Sequence, residues 1–163
     1  MLALPIRLFP DPVLRRPARP VAFGEDIQHF IGRLLETLYA QPSGIGIAAP
    51  QVNDSRRIIV VDVSPRDASK KCQVMINPVI VRHAGEVTSR EGCMSLPDYT
   101  ANVRRSEKVT VHWLDEKGRQ RKKTFQGIEA MCVQHEIDHL DGKLILDRAA
   151  CLRTDVLPRR RRA

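Results

Sequence analysis

The sequence has no apolar run approaching the roughly 20 residues that a membrane-spanning helix needs. Its opening stretch, MLALPIRLFPDP, is interrupted by Pro5, Arg7 and Pro10 before a secretory apolar core could form. These two absences predict a cytoplasmic protein with no membrane contact. Aromatic residues are scarce, at 4%, so the core is expected to be mostly aliphatic. Cysteine is sparse as well. Cys72, Cys93, Cys132 and Cys151 form no CxxC pair, and without an export signal metal binding or plain burial outranks a disulfide framework.

What remains is an ordinary globular composition: 163 residues, 42% apolar, enough for one domain with a real core. The net charge is +8, and it is uneven, because residues 148–163 hold six arginines against Asp155. The expected organisation is a catalytic domain over 1–147 and a basic tail over 148–163. Such a tail suits a polyanion such as ribosomal RNA. The plainer reading is a solvated charged segment.

Pro5, Pro10, Pro12, Pro17 and Pro20 forbid a continuous helix near the start and predict an extended arm over residues 5–22. Ile27, Phe30, Ile31, Leu34, Leu35 and Leu38 recur at helical spacing between about 25 and 39. Short β-branched runs predict strands at 56–63, at 73–81 with a bend at Pro78, and at 108–115. DEKG then turns the chain into a hairpin with RQRKKTF. A second helix is predicted from Gly127 to Leu140, with Ile128, Met131, Cys132, His135 and His139 on one stripe, read as the buried face. Strands in the middle and helices early and late give an α+β order.

The stretch QHEIDHLDG, residues 134–142, carries the chemistry. His135 and His139 are one helical turn apart and point the same way, so both rings can grip one cation. Glu136 stands beside them, completing HExxH. A catalytic metal wants a third protein ligand and an open position. No glutamate follows Glu136, and Ile145 stands where a third histidine of the extended HExxH motif would be. Asp138 and Asp141 are too close along the helix to swing into the same sphere. The third ligand is therefore sought upstream, where two thiols stand out. Cys93, in the polar, turn-prone REGCMSLP, is one; Cys132, three residues before His135, is the other. A third stretch, SGIGIAAPQ at 43–51, has glycines that let backbone approach a ligand and an uncharged donor in Gln51. It lacks the glycine and lysine pattern of a phosphate loop, and alone reads as a turn.

GIGIAAPQ, EGCMS and QHEIDHLDG, in this order, resemble the peptide deformylase family, as do the proline-rich arm and the RRIIVVD strand. The likeness spans most of residues 5–147. It implies a compact single domain, α+β, with antiparallel sheets packed around a central HExxH helix. It implies Cys93, His135 and His139 as ligands of one divalent ion, Fe2+ by expectation, with Zn2+, Ni2+ or Co2+ able to occupy the site. Glu136 is implied as general acid and base, with Gln51 and the N–H of Met94 as oxyanion donors. Ile45, Gly46 and Gly92 would hold the substrate backbone; Ile128, Met131 and Cys132 would line the methionine pocket. Glu91 would pair with Arg105. The implied reaction removes the formyl group from N-formyl-methionyl peptides as formate, with ribosome contact through the basic tail as a further expectation. A hydrolase of another N-acyl group or peptide, or a non-catalytic ribosome-associated relative, are the alternatives. Three departures bear on side-chain preference rather than metal chemistry. Tyr99 and Thr100 stand where many members carry a glutamine-arginine pair, and Ser89 where a bulkier apolar residue is common.

Overall fold

The apolar run of RRIIVVDV is unbroken because its strand is buried on both faces. The computed structural model describes residues 3–22 and 24–159. Its strands are β1 (Gly46–Ala48), β2 (Ile58–Val61), β3 (Gln73–Ala84), β4 (Val87–Cys93), β5 (Leu96–Arg105), β6 (Lys108–Leu114), β7 (Gln120–Gln126) and β8 (Val156–Pro158). Its α-helices are α1 (Gln28–Tyr39), α2 (Gly127–Leu140) and two single turns, α3 (Ile145–Arg148) and α4 (Leu152–Asp155). One antiparallel sheet has the order β1-β2-β3-β6-β7, a second the order β4-β5-β8.

Both helices pack on the larger sheet, from opposite sides. Ile59 and Val61 of β2 meet Ala130, Val133, Ile137 and Leu140 of α2, together with Val109, Val111, Trp113 and Phe125. Ile58 and Val60, on the other face, meet Ile31, Leu34 and Leu38 of α1. A third apolar cluster, including Leu14, Leu96, Val103, Leu144 and Ile145, ties the second sheet to the arm and to α3. The bend expected at Pro78 is a bulge: the β3–β6 register shifts between Ile76 and Val79, and Asn77 takes φ 51°.

Helix α2 differs from the expectation in one respect. Of the stripe read as its buried face, Cys132 and His139 are buried, but Ile128, Met131 and His135 are only partly covered and look into a cleft. The core contact comes from Ala130, Val133, Ile137 and Leu140 instead. Gln134 and Glu129, polar residues of α2 outside that stripe, are buried too, and both are partnered. Gln134 exchanges hydrogen bonds of 2.9 and 2.8 Å with the Ser106 backbone, and Glu129 accepts from Lys123 at 2.9 Å.

The polar stretch around Cys93, expected as a turn, is a hairpin. β4 runs into Cys93, Met94 and Ser95 make the turn, and Leu96 pairs back with Cys93. The inward residues of β4 include Ser89, Glu91 and Cys93 rather than aliphatics, which hides the strand from its sequence. The arm crosses all three motif segments. Arg7 N–H donates to Gln51 O at 2.7 Å, Phe9 N–H to Ser95 O at 2.9 Å, and Ala18 N–H to Leu140 O at 2.7 Å. Of the segment read as a tail, residues 156–158 form β8 on the edge of β5. Arg160, Arg161 and Arg162 lie outside the described residues. Among those described, no helix is long and apolar enough to cross a membrane.

Candidate metal centre

Three elements deliver the site. α2 carries His135, Glu136 and His139; the end of β4 carries Cys93; the turn after β1 carries Gln51. One ligand atom each from Cys93, His135 and His139 lie within 4.8 Å of one another. Cys93 Sγ is 3.3 Å from His139 Nε2, and both residues are almost wholly buried. The two imidazoles stand edge to face, ring centres 5.0 Å apart.

The polar surroundings arrange this trio for a cation. Burial opposes a charge on the Cys93 sulfur, yet the neighbouring His139 and His135 hold its thiol well below the ordinary range. The thiolate, the ligating form, is therefore the stable one. His135 Nδ1 bonds Glu91 Oε2 at 2.9 Å, which leaves Nε2 to face the site. His139 Nδ1 and Glu136 Oε2 are buried without a hydrogen-bond partner among the described residues. Buried polar atoms seldom stay orphaned. A soft thiolate and two imidazoles whose ligand atoms lie within 4.8 Å of one another fit a divalent metal ion.

Cys132 is placed elsewhere. Its Sγ donates to Ile45 O at 3.3 Å. Burial, aided by the Glu136 charge, pushes this thiol well above its usual value. It stays protonated and forms wall.

Glu136 lies 4% exposed at the floor of the cleft. Desolvation raises its carboxyl, and despite the nearby histidines it comes to about 7. A group in that range both takes and returns a proton near neutrality. Gly46 is small for a reason visible here: a Cβ on it would fall 2.5 Å from Glu136 Oε1 and 2.6 Å from Cys132 Sγ. The side-chain amide of Gln51 is held at both ends. Its Oε1 accepts from Ala48 N–H at 3.0 Å, while Nε2 donates to Ser95 Oγ at 3.2 Å and points toward Cys93 Sγ at 3.7 Å.

The cleft beside this centre has a volume of about 250 Å³. Its walls include Ile45, Gly46, Gly92, Ile128 and Met131, expected to bind substrate backbone and side chain, and Met94, expected as an oxyanion donor. Cys132, Gln51 and Glu136 also face it, and His139 lies beneath, behind Cys93. The sequence alone does not foretell the depth of the support. Arg105 bonds both Glu91 oxygens at 2.9 Å and also pairs with Asp138, which Arg148 holds from its other side. Also unforeseen are Ser95, buried as the Gln51 partner, and Arg66, Arg90 and Arg159 on the cleft wall. The serine is part of EGCMS and could have been marked from it. The arginines come from separate segments and carry no local signal.

A family model described as polypeptide deformylase matches residues 3–155. The peptide deformylase of Thermodesulfovibrio yellowstonii is 42% identical over 157 residues, spanning 96% of this chain and 94% of that relative. That of Rhizobium meliloti is 41% identical over 162 residues, or 98% and 92% of the two chains. Among solved structures, a peptide deformylase from Synechococcus elongatus in complex with actinonin superposes with a TM-score of 0.84 at 40% identity, covering 90% of this chain and 80% of that one. The Thermotoga maritima enzyme gives 0.85 at 37% identity, covering 93% and 100%.

Proposed function

The chain belongs to the peptide deformylase family, and on that premise we propose that Cys93, His135 and His139 hold one divalent metal ion while Glu136 moves the protons. The enzyme is a hydrolase that removes the formyl group from the N-terminus of formylated polypeptides and releases formate. The single observation supporting the assignment of roles is the meeting of a buried thiolate, two imidazoles and a carboxyl near pKa 7 at one end of an open cleft.

When bound, the ion supplies Lewis acidity, which makes water a nucleophile near neutral pH. Everything else falls to the chain. Backbone of Ile45, Gly46 and Gly92 holds the peptide extended along the cleft, with its methionine side chain among Ile128, Met131 and Cys132. Glu136, desolvated and without a hydrogen-bond partner on Oε2, takes the proton of the attacking water. The amide of Gln51 and the N–H of Met94 donate to the oxyanion as charge develops on the formyl oxygen. One such donor is typically worth about 10²–10³ in rate. Glu136 then returns its proton to the leaving amine, the C–N bond breaks, and formate departs. Gln51 is pre-oriented for this by Ala48 and Ser95.

The donor set of one thiolate and two imidazoles accepts Zn2+, Co2+ or Ni2+; ferrous iron is the resident ion proposed, by family resemblance. A cytoplasmic location follows from the same reading. Ribosomal RNA is the partner proposed for the arginine-rich stretch 148–163, of which Arg160–Arg162 lie outside the described residues.

The test is formate release from formyl-Met-Ala-Ser under anaerobic conditions, with acetyl-Met-Ala-Ser as comparison and metal content measured on the same sample. Formate from the formyl peptide, no acetate, and a Glu136→Gln variant that keeps its metal but loses about 10²–10⁴ in rate would support the reading. Equal hydrolysis of both peptides would assign the site to a broader amidase.

A further inference from the structure

The arginine that follows β8 lies in the substrate cleft, although it is 67 residues from Gly92 in the chain. Its backbone is anchored: β8 pairs with β5 through Tyr99–Pro158, Thr100–Leu157 and Ala101–Val156, and Arg159 N–H donates to Asp98 O at 2.8 Å. β5 in turn pairs Thr100 with Gly92. The guanidinium of Arg159 crosses this ladder and rests on Gly92, in space that any side chain there would occupy. A glycine at 92 is thus what admits the arginine.

The charge around it is one-sided. Arg66 and Arg90 line the same cleft, and Arg90 Nε is committed only to the neutral Thr100 hydroxyl, at 2.9 Å. The acids in the cleft are spoken for or hidden. Glu91 is held by Arg105 and His135, and Glu136 is buried at the floor. Glu91 and Glu136, the carboxylates that line this cleft, thus leave the Arg159 guanidinium unopposed there. A peptide threaded from the metal centre past Gly92 therefore meets a cationic rim with no internal counter-charge.

We propose that Arg159, carried to the cleft by β8, is a specificity-determining residue that favours formyl peptides with an acidic side chain at the first or second position after the formylated methionine. The inference rests on the deformylase reading and adds the substrate preference. The chemistry is a solvent-accessible guanidinium–carboxylate pair, formed only when the substrate brings the acid. Its effect belongs in KM, because those side chains do not touch the reacting carbonyl.

The experiment compares kcat and KM for formyl-Met-Asp-Ser, formyl-Met-Lys-Ser, formyl-Met-Ala-Asp and formyl-Met-Ala-Lys, with formyl-Met-Ala-Ser as reference. It uses wild type, Arg159→Ala and Arg159→Glu, with thermal melts to establish folding. At low salt the wild type should favour the acidic member of at least one pair by about fivefold, through KM, as expected for an exposed ion pair. The preference should shrink as salt rises. Arg159→Ala should bring the ratio toward one, and Arg159→Glu should invert it. Equal acid-to-lysine ratios in wild type and Arg159→Ala would overturn the proposal. So would a uniform gain on every peptide in Arg159→Ala, since the arginine would then be an obstruction. Hydrolysis of the reference peptide without discrimination defeats this inference alone, whereas hydrolysis of none defeats the deformylase reading with it.

Discussion

Gly46 shows how tightly the chemistry constrains single positions. Its missing Cβ is the space that Glu136 Oε1 and Cys132 Sγ require. Gly46→Ala should therefore displace Glu136 and the Cys132 thiol while leaving Cys93, His135 and His139 in place. A displacement near 1 Å typically costs about 10²-fold in rate. Steady-state formate release should fall by that order while metal content stays the same. At this scale the sequence was largely readable. The HExxH spacing made a metal helix the natural reading, and two thiols remained as candidates for the third ligand. Spacing alone could not choose between Cys93 and Cys132, because the choice depends on a hairpin and on the Ile45 carbonyl that occupies Cys132.

Between elements, the support of the site is a chain of buried charge: His135 to Glu91, Glu91 to Arg105, Arg105 to Asp138, and Asp138 to Arg148. It joins β4, β5, α2 and α3. Only the Glu91–Arg105 link was foreseen, and by resemblance. The rest is invisible in one dimension, since each partner is an ordinary charged residue on its own segment. β4 and β5 were overlooked for a related reason. β4 carries Ser89 and Glu91 at inward positions where a strand pattern would show aliphatics, and the inward set of β5, Ala101 and Val103, ends on the buried Arg105.

Removing the shared cation should be severe. Arg105→Met leaves Glu91 and Asp138 buried without it, a loss of about 3–5 kcal/mol, read as a lower urea midpoint at pH 7. The same network makes a pH prediction. Burial would raise Glu91, but its bonds with Arg105 and His135 hold it at about 2, below its ordinary 4.5. A depressed carboxyl stabilises the fold fully above about pH 4.5, and that contribution is lost as pH falls toward 2. Urea midpoints of the wild type should accordingly drop across this window.

For the whole molecule, the candidate metal centre is a meeting point of distant segments rather than a property of one motif. The larger sheet carries α2 on one side, the second sheet brings Cys93 against it, and the arm ties Gln51, Ser95 and Leu140 together through backbone bonds. The α+β architecture and the two long helices were legible from periodicity. The division into two sheets was not, because strand order is set by non-local pairing. The account stands on Cys93, and not Cys132, completing the ligand set. Metal stoichiometry of anaerobically purified wild type, Cys93→Ala and Cys132→Ala tests it most directly. One divalent ion per chain in wild type and Cys132→Ala, with little retained by Cys93→Ala, is the predicted result. A full equivalent retained by a folded Cys93→Ala chain would contradict the account.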